Sequence, residues 1–181
     1  MNKNIVLTGL MGAGKTYIGK KISKAFGLKF FDSDNLIKEE TGYSPKEIFD
    51  YFGLDFLKEM EFNAIKRILD SKEICVISTG DITITNKKAW DYLRKNCLTI
   101  WLDISLSSIL KRVRASENRP FFEKKDTMNL LKRLYEERKM IYQQASIIIR
   151  GVGFDYKILF NILVLCGFKR KMVSEVKKNV N

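Results

Sequence analysis

The stretch "GLMGAGKT", Gly9 to Thr16, constrains this chain more than any other feature. It matches the pattern G-x-x-x-x-G-K-[ST]. It follows a short apolar run, "KNIVLTG" (Lys3 to Gly9), and opens a run with helical spacing, "KTYIGKKISKAF" (Lys15 to Phe26). Strand, glycine-rich turn and helix in that order are the context in which such a loop binds phosphate. Glycines let successive backbone N–H groups turn inward, and the helix N-terminus adds a positive end. The cofactor-binding run is therefore Met11, Gly12, Ala13, Gly14, Lys15 and Thr16. Lys15 reaches β- and γ-phosphates, and the Thr16 hydroxyl is placed to ligate Mg²⁺. The expected cofactors are ATP or GTP with Mg²⁺. A ligand-free tight turn is the alternative, and pattern and context together outweigh it.

Strand and helix patterns alternate along the rest of the chain. "LKFFDSD" (Leu28 to Asp34), "EICVIST" (Glu73 to Thr79), "CLTIWLD" (Cys97 to Asp103) and "SIIIR" (Ser146 to Arg150) read as further strands. Between them lie helical stretches over 35–69, 86–95, 105–116 and 128–145, with a closing one over 155–167. The first is interrupted near "GYSP" (Gly42 to Pro45) and at Gly53. Repeated βα units with near-continuously apolar strands predict a parallel sheet covered on both faces. The fold class is α/β, a three-layer sandwich around a central five-stranded parallel sheet. A single domain is expected over 1–168, followed by a basic tail over 169–181.

Composition narrows the chemistry. The chain has no histidine, which excludes a Ser-His-Asp triad and every His-ligated metal site. A proton acceptor must then be a carboxylate, lysine, tyrosine or cysteine. Cys75, Cys97 and Cys166 are widely spaced without a CxxC pair and read as buried free thiols. No apolar run approaches the roughly 20 residues needed to span a bilayer. "ILFNILVLCGF" (Ile158 to Phe168) reads instead as a buried closing helix. Without a signal peptide pattern, a cytoplasmic protein with no membrane partner is expected. The formal net charge of +12 asks for an anionic partner. The basic residues are spread along helices and no nucleic-acid motif is present, so the expected anions are nucleotide and an acidic small molecule.

A phosphate loop alone does not separate a kinase from a switch or motor. The small size suits a small-molecule kinase acting as a monomer, and "ENRPFFEKKDT" (Glu117 to Thr127) suits a mobile lid over about 116–127. Arg119 lies within that segment, where transfer needs a cationic clamp and exclusion of water. A solvated loop arginine is the competing reading.

Several spaced motifs together resemble the shikimate kinase family, within the nucleoside-monophosphate-kinase-like P-loop group. "GLMGAGKTYIGKKISKAFGLKFFDSD" resembles its phosphate loop, first helix and D-x-D strand. "IFDYFGLDFLKEME" (Ile48 to Glu61) resembles its helix bearing an arginine and a glutamate. "NRPFF" resembles its R-P-L-L lid element, and "LYEERKMIY" (Leu134 to Tyr142) its R-x-x-x-Y helix. The resemblance implies an ATP-dependent kinase that phosphorylates shikimate, a hydroxy acid. It implies catalytic roles for Lys15, Asp34 and Arg119. Thr16 would ligate the metal and Asp32 would support its shell. Asp34, Lys58, Gly80 and Arg138 would bind the acceptor. Arg112 would lie beside the adenine, with Arg119 on the transferring phosphate, and Glu61 would orient its basic neighbour. Asp32 or Asp34 could equally cap the following helix, and Arg112 shares a basic helix face with Lys111 and Arg114.

Two departures from the family fall on the acceptor side. Lys58 stands where the family has arginine, which keeps the charge but loses the planar fork. Gly80, Asp81 and Ile82, within "VISTGDITI" (Val76 to Ile84), replace three consecutive glycines. Gly80 would present its N–H to the acceptor. Asp81 would repel an acceptor carboxylate unless it turned outward or paired with Lys58 or Arg138. Ile82 would disfavour any positive φ in the loop. A kinase of the same fold acting on another small alcohol, and a non-catalytic nucleotide-binding relative, are the alternative readings.

Overall fold

The computed structural model describes residues 3–71, 73–115, 126–151 and 156–169. Residues 116–125, which hold Arg119 and most of the expected lid, lie outside the described residues. So do 152–155 and the tail beyond Lys169.

Five strands form one parallel sheet: β1 (Ile5–Thr8), β2 (Lys29–Asp32), β3 (Cys75–Ser78), β4 (Leu98–Ile104) and β5 (Ile147–Gly151), in spatial order β2-β3-β1-β4-β5. The connecting helices are α1 (Lys15–Phe26), α2 (Ser33–Thr41), α3 (Pro45–Asp70), α4 (Lys87–Asn96), α5 (Leu106–Arg114), α6 (Thr127–Tyr142) and α7 (Tyr156–Leu165). A single 3₁₀ turn, Thr83–Thr85, follows β3.

The centre of the sheet is apolar on both sides because side chains alternate between faces. On β1, Ile5 and Leu7 join a large cluster with Ile18 and Ile22 of α1, Ile109 of α5 and Leu159 of α7. Val6 instead joins Cys75 and Ile77 of β3, Ile65 of α3 and Leu93 of α4. A third, smaller cluster of Ile37, Ile48 and Leu57 joins α2 to α3. Helices therefore cover both faces, as the apolar strands require. No helix among the described residues is long and apolar enough to cross a membrane.

The structure differs from the sequence expectation in three places. β2 ends at Asp32 and α2 begins at Ser33, so Asp34 sits in the first turn of a helix rather than on a strand. The closing helix is only partly buried. Leu159 and Leu163 are inside, whereas Leu165 is 87% exposed. Cys166 follows it into solvent, so only Cys75 and Cys97 are buried thiols. The cause is periodicity: one stripe of this largely apolar helix, with Leu159 and Leu163, faces the core, while Val164 and Leu165 fall on its exposed side.

Gly53 marks a kink inside α3, with φ 84° and ψ 175°. That region of backbone space is nearly confined to glycine. A Cβ at Gly53 would meet nothing within 4 Å, so any cost of substitution is conformational and not steric. Gly53→Ala is expected to lower the unfolding free energy by about 1–3 kcal/mol in urea denaturation. Gly53→Asn should bring no relief.

Candidate active site

The site lies at the C-terminal ends of β1, β2 and β3, where loops leave the sheet. Parallel sheets place ligands there. Between β1 and α1 the phosphate loop turns through left-handed glycines, Gly12 at φ 77° and Gly14 at φ 97°, and Gly14 caps α1. Lys15 folds back over the loop. Its ammonium donates to the carbonyls of Gly9 (2.7 Å) and Leu10 (3.3 Å) and to Asp81 Oδ1 (2.9 Å). The Met11 N–H donates to Asp81 Oδ2 at 3.0 Å.

Thr16 donates its hydroxyl to Asp32 Oδ2 at 2.7 Å. The other oxygen of Asp32 accepts the Asp34 N–H at 3.3 Å and caps α2. Asp32 therefore caps α2 with one oxygen and holds the Thr16 hydroxyl with the other. Arg112, exposed on α5, donates to the carbonyls of Gly12 and Ala13, each at 3.2 Å. With Ala13, Gly14, Tyr17 and Ile18 it lines a cavity of about 340 Å³ beside the loop.

The side of the cleft built from α2, α3 and the loop after β3 is organised by Glu61, which is 1% exposed on α3. Its Oε1 accepts from the Ser33 hydroxyl and from the Gly80 N–H, both at 2.7 Å. Its Oε2 makes no hydrogen bond among the described residues. Burial raises the Glu61 pKa above its ordinary value, while the nearby Thr83 and Ser33 hydroxyls and the Gly80 N–H act in the opposite sense.

Asp34 is pushed up to about 7. The surrounding protein does most of this, followed by the charges of Glu61, Asp32 and Asp81 against the pull of Lys15. Asp34 as a residue is exposed on the open side of the cleft, and it is the carboxyl that is enclosed, against Gly80 and near Glu61 and Asp32. Arg138 reaches across from α6 and donates to the Asp81 carbonyl at 3.0 Å. Lys58 pairs with Asp55 (3.3 Å), whose side chain is 96% exposed.

The structure thus brings Lys15, Thr16, Asp32, Asp34, Gly80, Arg112 and Arg138 to one cleft, together with Met11, Gly12, Ala13 and Gly14 of the loop. Among the described residues, the Lys58 side chain meets Asp55 and makes no hydrogen bond or ion pair to that group. Four expectations change. The Gly80 N–H points to Ser33 and Glu61, not into the acceptor space. Glycine leaves two carboxylates in place, since a Cβ would stand 2.5 Å from Glu61 Oε1 and 2.9 Å from Asp34 Oδ1 and displace them. Asp81 turns neither outward nor to Lys58, because the Lys15 ammonium and a loop N–H offer a stronger anion site. Ile82 sits at φ −91° and packs on Ile37, Ile48 and Leu57, so its bulk serves the core and no positive φ arises. Glu61 holds Ser33 and Gly80, not its basic neighbour.

Sequence reasoning missed Ser33, and it missed the role Glu61 plays. A signal existed for Glu61. It lies four residues from both Leu57 and Ile65, an acid within an apolar helical stripe.

Along most of its length the chain is similar to known proteins. The family model for shikimate kinase matches residues 11–160. The shikimate kinase of Sulfurihydrogenibium sp. is 37% identical over 149 residues, covering 82% of this chain and 88% of that protein. That of Persephonella marina is 35% identical over 162 residues, covering 89% and 97%. Among solved structures, shikimate kinase from Acinetobacter baumannii in complex with shikimate superposes with a TM-score of 0.82. It is 27% identical and covers 92% of this chain and 93% of its own.

The raised Asp34 pKa has a consequence for stability. In the unfolded chain Asp34 ionises near 3.8, and in the folded protein near 7. Between those values the native state binds more protons, so stability falls as pH rises through the window. Chemical denaturation from pH 4 to 8 should show Asp34→Asn gaining stability over the wild type across that interval, with no gain below it.

Proposed function

The chain belongs to the shikimate kinase family, and on that premise we propose that it transfers the γ-phosphoryl group of ATP to a hydroxyl of shikimate. The products are ADP and 3-phosphoshikimate. The observation that carries this reading is the shared cleft: Asp34, with a pKa near neutrality, lies within electrostatic reach of Lys15 of the phosphate loop. Phosphoryl transfer needs little covalent chemistry from a protein, so positioning and charge compensation do most of the work.

In this reading the loop N–H groups and Lys15 hold the triphosphate, and Arg112 borders the base. Thr16 and Asp32 present adjacent hard oxygens 2.7 Å apart, a pair that suits Mg²⁺, which favours few protein ligands alongside phosphate oxygens. Bound there, the metal would neutralise charge on the transferring phosphates. Asp34 accepts a hydrogen bond from the acceptor hydroxyl and takes its proton as the oxygen attacks phosphorus. A carboxylate held near 7 is suited to that task, because it is both substantially ionised and usefully basic at neutral pH. Arg138 grips the acceptor carboxylate, with Lys58 as a further cation. Arg119 is proposed to clamp the transferring phosphate from the lid. The protein is proposed to work as a cytoplasmic monomer without nucleic-acid or membrane partners.

The substitutions at 81 and 82 weigh less against shikimate than their sequence suggests. The Asp81 carboxylate faces the phosphate loop, and Ile82, partly buried, packs against the cluster between α2 and α3. Lys58 remains a weaker grip than arginine, and a raised KM for shikimate follows from it.

A coupled ADP-release assay with millimolar shikimate tests this directly. The wild type should release shikimate-dependent ADP, with kcat/KM rising with pH through about 7 as Asp34 ionises. Asp34→Asn should lose roughly 10²- to 10⁴-fold. Release no greater than in the blank without shikimate would overturn the assignment.

A further inference from the structure

Every hydrogen on the Lys15 ammonium already has a partner. A lysine carries three N–H donors, and here they meet Gly9 O, Leu10 O and Asp81 Oδ1. Two of those acceptors belong to the loop itself. The third comes from 66 residues away and brings a negative charge. The second oxygen of the same carboxylate accepts the Met11 N–H, also part of the loop. One anionic group thus bridges the loop's cation and one of its backbone donors. A nucleotide phosphate makes the same demand on such a loop.

The arrangement is held in place. The Lys15 and Asp81 side chains are only 10% and 15% exposed. Arg138 fixes the Asp81 carbonyl from α6. The next residue, Ile82, is anchored in the cluster between α2 and α3. The following 3₁₀ turn is closed by Thr85 N–H to Ile82 O at 2.8 Å. Asp81 is therefore presented to the loop from a braced segment.

We propose that Asp81 is an internal competitor for the nucleotide. In the nucleotide-free protein its carboxylate occupies the place of a terminal phosphate of ATP, and binding of ATP displaces it from Lys15 and Met11. This rests on reading residues 9–16 as the ATP site. Asp81 is the partner that leaves, because it alone carries the same sign as the ligand and is not part of the loop. The apparent affinity for ATP is then reduced by the fraction of molecules with an open cradle. Arg138 holds the backbone of the displaced residue. Displacement at the phosphate loop therefore reaches the arginine assigned to the acceptor carboxylate.

The test is calorimetric titration with the non-hydrolysable analogue adenosine 5′-(β,γ-imido)triphosphate and Mg²⁺ at pH 8.5, with adenosine as the phosphate-free probe. Asp81→Gly is expected to bind the analogue roughly tenfold tighter than the wild type, about 1.4 kcal/mol. Asp81→Asn, which keeps the shape but not the charge, should fall between. Adenosine affinity should not change. Asp34→Asn serves as the control for general electrostatics, since Asp34 is charged at that pH and interacts with Lys15 without a hydrogen bond to it. It should shift the analogue affinity far less. Equal or weaker binding by both Asp81 variants overturns the inference. So does an equal gain in Asp34→Asn. If neither the wild type nor the Asp81 variants bind the analogue, the kinase reading itself fails, and the inference with it.

Discussion

Glu61 Oε1 accepts two hydrogen bonds of 2.7 Å, from the first residue of α2 and from the loop after β3. It does so from a position on α3 that is 1% exposed. Three segments far apart in sequence are thereby joined at one buried oxygen. Much of the acceptor side follows from this. The Gly80 N–H is satisfied without a ligand, and a Cβ at residue 80 would have to push aside the Glu61 and Asp34 carboxylates. Ser33 is fixed at the start of α2, which sets where Asp34 enters the cleft. The charge of Glu61 is then the second cause, after burial, of the high Asp34 pKa. A buried acid would ordinarily be destabilising. Here two short hydrogen bonds offset part of that cost, and the remainder raises the pKa of Glu61 itself.

The phosphate side is built on a different principle. Its donors are mostly backbone N–H groups and one ammonium, all belonging to a short turn between β1 and α1. Such a turn concentrates positive potential whether or not a nucleotide is present. The nearest available anion, Asp81, settles there. The two halves of the cleft meet at this residue, since its carboxylate belongs to the phosphate loop and its carbonyl to Arg138. One residue thus links the phosphate loop to α6.

Much of this fold was legible in the sequence because its signals are local. The phosphate loop declares itself within eight residues, the strands by apolar runs, and the α3 kink by a lone glycine in a helical stretch. The direction in which Asp81 turns was not legible, because its partner lies 66 positions away and no local pattern encodes the choice between Lys15, Lys58 and Arg138. The same holds for Gly80. Its glycine answers to two carboxylates, on α3 and α2, and not to the loop's own dihedral angles. Ile82 misled for a related reason: on sequence it is bulk in a binding loop, whereas packing places it against Ile37, Ile48 and Leu57. Asp34 was assigned by resemblance alone. Its pKa depends on a charge 27 residues further along the chain, on another helix.

The central claim is that the protein around Asp34, and after it the charge of Glu61, raises the Asp34 pKa to about 7. Carbon-13 NMR titration of the Asp34 carboxyl in the nucleotide-free protein measures this without reference to turnover. The account predicts a midpoint near 7 in the wild type, moving downward in Glu61→Gln as the neighbouring charge is removed. A wild-type midpoint near 4, unaffected by Glu61→Gln, would contradict it.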